Sequence, residues 1–216
     1  MALTLDAALA AAQDSESRHP LVEIMSLQTG DDIPFDGTFL TTETFREYAP
    51  AVMAHSTGRL IIAYAYLSGF TFGIKFVYTD EARQTFSFYT FVESPGFTVS
   101  DLRGLSLVEL ADGSIGIVYL LVEGTSKYHL VQRAVPVTGG AGTRTHIAEW
   151  ARANQLTSDP WCIKLGAASY AIYYTRHDAA DGHYHFYKRA STNFETWSSE
   201  TETGPSSFPS GIDLFD

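Results

Sequence analysis

The densest run of ionisable side chains is Arg176-His177-Asp178-Ala179-Ala180-Asp181-Gly182-His183-Tyr184-His185. His183 and His185 share one face of an extended chain, and Asp178 or Asp181 could join them around zinc or a similar ion. Both aspartates also stand where a hairpin turn wants them. The expected reading is therefore an exposed polar hairpin without metal. Asp31, Asp32 and Asp36 crowd one loop, but they lack EF-hand spacing and read as turn residues, not as a calcium site. Glu93, Glu109, Glu123 and Glu149 are candidates for the carboxylate pair of glycoside hydrolysis, although nothing in their spacing brings any two together. Arg46, Arg59, Arg103, Arg133, Arg144 and Arg176 are scattered. No Gly-rich phosphate loop, Gly-x-Ser-x-Gly or Cys-x-x-Cys occurs. No catalytic residue, cofactor or metal is assigned, and the chain is expected not to be an enzyme. Tyr184 and Trp197 are candidate glycan contacts, as aromatic platforms that can stack on sugar rings.

The elements that must position these residues repeat. Tyr64, Tyr119 and Tyr174 recur at intervals of 55 residues, as do Ile62, Ile117 and Ile172. Each copy has a small turn-forming centre (Thr57-Gly58, Asp112-Gly113, Ala167-Ala168) followed by β-branched and aromatic residues. A strand, a tight turn and a buried strand recurring at about 50 residues predict a β-propeller blade. The expected fold is all-β. About three four-stranded antiparallel blades, over 49–96, 105–150 and 160–204, form an incomplete ring, and a fourth opens at 205–216. A connecting strand and turns occupy 21–48. Three blades do not close a ring, so the chain is expected to be the front part of a longer protein or to have its open edges covered by neighbours.

Ahead of the repeat, residues 1–20 predict a short α-helical arm. Thr4 caps it, and Leu5, Leu9 and Ala12 lie on one apolar stripe. A helix of about ten residues is marginal alone in water, so the arm is expected to lie on another subunit.

The composition narrows the function. With 216 residues, 45% of them hydrophobic and only 18% charged, the chain can bury a sizeable core. Fourteen Phe and twelve Tyr suit pleated, half-buried surfaces. The net charge of −11 repels phosphate backbones and anionic lipid, which argues against nucleic-acid or membrane-surface binding. The single Cys162 excludes an internal disulfide and reads as a small buried hydrophobe. Asp6 interrupts the alanine-rich start, so no secretory signal or membrane span is expected.

Two stretches resemble known families. Ser191-Thr192-Asn193-Phe194-Glu195-Thr196-Trp197 resembles the Asp-box turn of sialidase-like propellers, with Asn193 in place of the Asp and Glu195 in place of the Gly. In that family the box is structural. Residues 7–24, with Gln13-Asp14-Ser15-Glu16-Ser17-Arg18-His19-Pro20, are similar to the opening of tailed-bacteriophage virion proteins that continue into such propellers. That resemblance implies a structural tail protein, located in the virion and anchored through Leu5, Leu9, Ala12, Arg18 and Pro20. Its implied partners are other tail proteins, further copies of itself and a host glycan or receptor. The alternative expectation is a carbohydrate-active propeller, either a lectin or a glycoside hydrolase.

Overall fold

The computed structural model describes residues 46–82, 85–140, 142–151, 159–178 and 180–203. The anchoring arm, the acidic loop at Asp31, Asp32 and Asp36, and the segment after 203 lie outside them.

Three antiparallel sheets follow one another along the chain. The first holds β1 (Arg46–Ala54), β2 (Leu60–Ser68), β3 (Thr71–Thr79) and β4 (Phe86–Val92). The second holds β5 (Val99–Glu109), β6 (Ile115–Glu123), β7 (Lys127–Val135) and β8 (Thr143–Ala151). The third holds β9 (Trp161–Gly166), β10 (Ser169–Asp178), β11 (His183–Ser191) and the two-residue β12 (Thr201–Glu202). In each sheet the strands are ordered as a simple meander. β1, β5 and β9 are sheet-edge strands, and β5 lies against both of the others, which makes these three the inner edges of the blades.

The 55-residue echo falls on the second strand of each blade. Its turns are closed by backbone bonds: Gly58 N donates to His55 O (2.9 Å) and Gly113 N to Leu110 O (3.1 Å). Gly58 and Gly113 both take left-handed φ values, +90° and +80°, which glycine adopts without steric cost. β6 shows why the repeat reads as an unbroken apolar run. Ile117, Tyr119 and Leu121 face blade 1, packing with Ile61, Ile74 and Phe76. The alternate residues Val118 and Leu120 face blade 3, packing with Tyr170, Ile172 and Phe194. A strand buried on both sides has no polar face to alternate with.

Charge joins the blades as well. The Glu93 side chain, at the end of blade 1, has no solvent exposure. It accepts hydrogen bonds from Arg133 (2.8 Å), Arg144 (3.0 Å) and the Tyr119 hydroxyl (2.8 Å), all in blade 2. Blade 3 repeats the motif internally. Glu200 accepts from the Tyr174 hydroxyl and from Arg176, each at 2.9 Å, and Arg189 Nε donates to Tyr174 (3.0 Å). Arg133 and Arg189 are cross-strand partners of the echoed Ile117 and Ile172, so the triad follows the repeat.

The edges of two blades differ from the regular meander. The outer strand of blade 3 is only Thr201–Glu202. The chain before it forms a side-chain-closed turn in which Asn193 Oδ1 accepts from the amides of Glu195 and Thr196, both 2.9 Å. β5 begins at Val99, well ahead of the expected Leu105.

Candidate functional site

The residues singled out in the sequence go to separate places. His185 is held between two carboxylates, with Nε2 2.8 Å from Asp181 and Nδ1 2.9 Å from Glu202. These partners raise its pKa, Glu202 most strongly, so both ring nitrogens carry protons over a wider range than in free histidine. His183 is 3.8 Å from Asp181 and partly exposed. Tyr184 is half-buried, packed edge-on against His177 on the side of blade 3 away from blade 2. Trp197 donates to Gln132 Oε1 (2.6 Å) and packs edge-on against Phe194, in the core between blades 2 and 3. Of the four glutamates, Glu93 is locked between arginines, and Glu109 accepts from Ser56 N (2.9 Å) and Oγ (2.6 Å). Glu123 and Glu149 approach the same histidine, His129. Cys162 is buried and free, its thiol pushed up to about 12 by burial.

A different group converges where the inner strands end. A polar cleft of about 410 Å³ is lined by Tyr48 of β1, Ser100, Asp101 and Arg103 of β5, and Tyr128 of β7. Asp101 and Arg103 pair with Val122 and Leu120, so strand alternation sends both to one side of the sheet. Asp101 Oδ1 accepts from the Leu102 amide (2.9 Å) and lies 3.5 Å from the Tyr48 hydroxyl. Arg103 lies over the Tyr128 ring, 5.5 Å from its centroid. Its Nε is buried and has no partner among the described residues.

Asp159, ahead of β9, completes the group. Crowding by surrounding protein raises its pKa, Asp101 adds to the rise, and Arg103 opposes it. The residue still keeps a solvent-exposed surface. Gly104 permits the approach. With φ +69°, it is backed so closely by Asp159-Pro160 that a Cβ would stand 2.5 Å from Pro160 Cδ. Both neighbouring strands are irregular here. β1 is bulged between Tyr48 and Ala51 with Ala49 at φ +51°, and β5 is bulged between Arg103 and Ser106. Bulges of this kind re-aim side chains and recur beside active sites, and a non-glycine residue at positive φ is strained.

A larger cleft of about 670 Å³ opens between blades 2 and 3, lined by Asp112, Tyr170, Asn193 and Glu195. Asp112, Tyr170 and Asn193 in it are already bonded within the protein. Asp112 Oδ1 accepts from Ser114 N (3.0 Å) and Oγ (2.6 Å), which holds its pKa low, and the Tyr170 hydroxyl accepts from the Ala111 amide at 2.8 Å. The smaller cleft holds Asp101 and the Arg103 guanidinium, whose buried Nε has no partner among the described residues, and the perturbed Asp159 carboxyl lies near enough to interact with both charges, so it is the better candidate.

Comparison with solved structures places the architecture. The α-L-arabinanase of Penicillium chrysogenum, solved with arabinobiose, superposes with a TM-score of 0.57 over 74% of this chain and 51% of the arabinanase, at 15% identity. The fold is a β-propeller. An endo-arabinase from Bacteroides thetaiotaomicron gives a TM-score of 0.48 at 13% identity, covering 76% of this chain and 62% of that enzyme. A GH43 β-1,3-galactosidase gives 0.44 at 13% identity, over 74% of this chain and 32% of the enzyme. The chain thus spans about half the length of the arabinanase. No family model matches the sequence, and no curated protein matches it. The expectation that the chain is not an enzyme is corrected by the arabinanase match: the scaffold the chain shares with it is one that carries glycoside hydrolase chemistry. At 15% identity the likeness is one of fold.

Little in the residue order marks this site. Asp101 and Arg103 are two apart just ahead of a glycine, and Asp159 precedes a proline. Both contexts read as turns. The usable signal was the alternation of Asp101 and Arg103 leading into the apolar run at Leu105.

Proposed function

We propose that the chain is a carbohydrate-active propeller that hydrolyses glycosidic bonds at the cleft of Asp101 and Arg103, with Asp159 beside it. The carrying observation is that two carboxylates, one on β5 and one just ahead of β9, sit in unlike surroundings beside an arginine whose buried Nε has no partner among the described residues. A carboxyl whose pKa is raised suits acid work, and a second carboxylate beside it can serve as the base. Asp159, its pKa raised, protonates the leaving glycosidic oxygen as the C–O bond breaks. Asp101, held by the Leu102 amide, takes the proton from the water that adds to the anomeric carbon. Arg103 donates to substrate hydroxyls, and Tyr48 and Tyr128 flank the sugar. Arabinan is the first substrate to try, because the arabinanase shares the fold.

The test is reducing-end release from arabinan and from a panel of plant and bacterial polysaccharides. D159N and D101N should each lower the rate by at least about 100-fold while glycan-array binding and the near-UV circular dichroism stay unchanged. Glycan binding without turnover, removed by R103A, would reduce the proposal to a lectin. Neither binding nor turnover across the panel would sink it. The resemblance of residues 7–24 supports placing this activity on a phage tail. Deleting residues 1–20 should then abolish incorporation into particles while leaving activity intact, and normal incorporation would remove that setting.

A further inference from the structure

On the blade 1 side of blade 2, at the end where β6 turns into β7, three donor atoms of His129, His146 and Glu149 lie within 4.8 Å of one another. His129 Nδ1 is 3.4 Å from His146 Nε2 and 3.7 Å from Glu149 Oε2. Two ligands on bonds of about 2.0–2.1 Å at the tetrahedral angle stand about 3.3 Å apart, so both separations suit a shared ion with little movement.

The backbone builds this arrangement on purpose-shaped strands. His129 pairs with Glu149, Leu130 with Ala148, and Val131 with His146, leaving Ile147 as an extra residue. In an unbroken strand His146 and Glu149 would point to opposite faces, because they are three apart. The bulge at Ile147 brings them to the same face.

The His129 ring is fixed on its other sides. It is only 5% exposed, and Phe97 stacks on it at 4.3 Å with the planes 17° apart. Its Nε2 is 3.2 Å from Glu123 Oε2. A carboxylate accepts only, so Nε2–H donates to Glu123, and in that tautomer the Nδ1 lone pair faces His146 and Glu149. Metal-ligating histidines almost always donate their far N–H to a carboxylate, a carbonyl or water, and His129 has that arrangement. Lys127 Nζ binds Glu149 Oε1 at 2.7 Å, which leaves Oε2 facing inward. His146 and Glu149 are themselves exposed, giving an ion access from solvent and an open coordination position.

We propose that His129, His146 and Glu149 bind a divalent transition-metal ion of the zinc class, with Glu123 as the positioning residue for His129. Two imidazoles and one carboxylate suit zinc or cobalt better than calcium or magnesium, which favour all-oxygen shells. This site is separate from the Asp101–Asp159 cleft and does not depend on its chemistry.

The experiment uses the full chain, stripped with chelator and titrated with Zn²⁺ alone by calorimetry, then with Co²⁺ under visible spectroscopy. One equivalent should bind, and Co²⁺ should give the intense bands of a four-coordinate site. H146A and E149Q alter exposed side chains and should leave the fold intact while weakening binding at least about tenfold. E123Q should weaken it about tenfold or more through the ring it orients. H183A should change nothing. Absence of stoichiometric binding would overturn the proposal. So would binding unchanged in H146A and E149Q, or a weak Co²⁺ spectrum of the six-coordinate kind.

Discussion

At the scale of single residues, His129 and His185 differ in what faces their second nitrogen. His185 has a carboxylate at each end, 2.8 and 2.9 Å away, an arrangement that favours the charged ring. Its raised pKa makes a stability statement. The extra stability is fully present below the unfolded value of about 6.5 and is lost as pH rises through the higher folded value. Asp181 works in the opposite direction: the His183 amide bond lowers its pKa, so its share persists until pH falls below about 3.8. The difference in melting temperature between wild type and H185Q should therefore be largest near pH 5–6 and shrink toward pH 9. A difference that grows with pH would remove the imidazolium from this account.

At the scale of strands, β6 carries a tight constraint. Gly116 lies under the Phe194 ring, and a Cβ there would overlap it. Gly116→Ala should cost about 1–3 kcal/mol by forcing the ring aside, read as a lower urea midpoint with unchanged slope. Retained stability would mean that Phe194 moves freely. β6 is also where the sequence was most legible, since Ile117 and Tyr119 stand in a periodic apolar run that only a doubly buried strand explains. The inner and outer edges were less so. Val99 to Gly104 mixes Ser, Asp and Gly, yet pairs as strand because the bulge after Arg103 absorbs the irregularity. Thr196–Ser199 has strand-like residues, but Asn193 and Ser191 take the backbone amides into a turn. The candidate site suffered from the same cause. Asp101, Arg103 and Asp159 are 58 residues apart at their extremes, and bulges and a glycine contact, which leave no periodic trace, bring them together.

At the scale of the molecule, apolar packing fills both spaces between blades, while the charge lock at Glu93 belongs to the first. Glu93→Gln would leave Arg133 and Arg144 facing a neutral group in a buried site. Removing one partner of a buried ion cluster costs about 3–5 kcal/mol. Hydrogen exchange should accelerate in β4 and in the β7 and β8 residues around Arg133 and Arg144, and much less in β10 and β11. Uniform acceleration across all three sheets would show that they open as one unit.

The two tyrosine–arginine couples draw their acid from different donors. Blade 2 borrows Glu93 from the preceding sheet, whereas blade 3 brings Glu200 of its own. A seam ahead of Asp159 divides the chain without parting any of these counter-ions, and a seam between Glu93 and Val99 orphans two guanidiniums. In a protein grown by copying one sheet after another, the later junction is the one at which modules can be gained, dropped or exchanged, and the earlier one is welded.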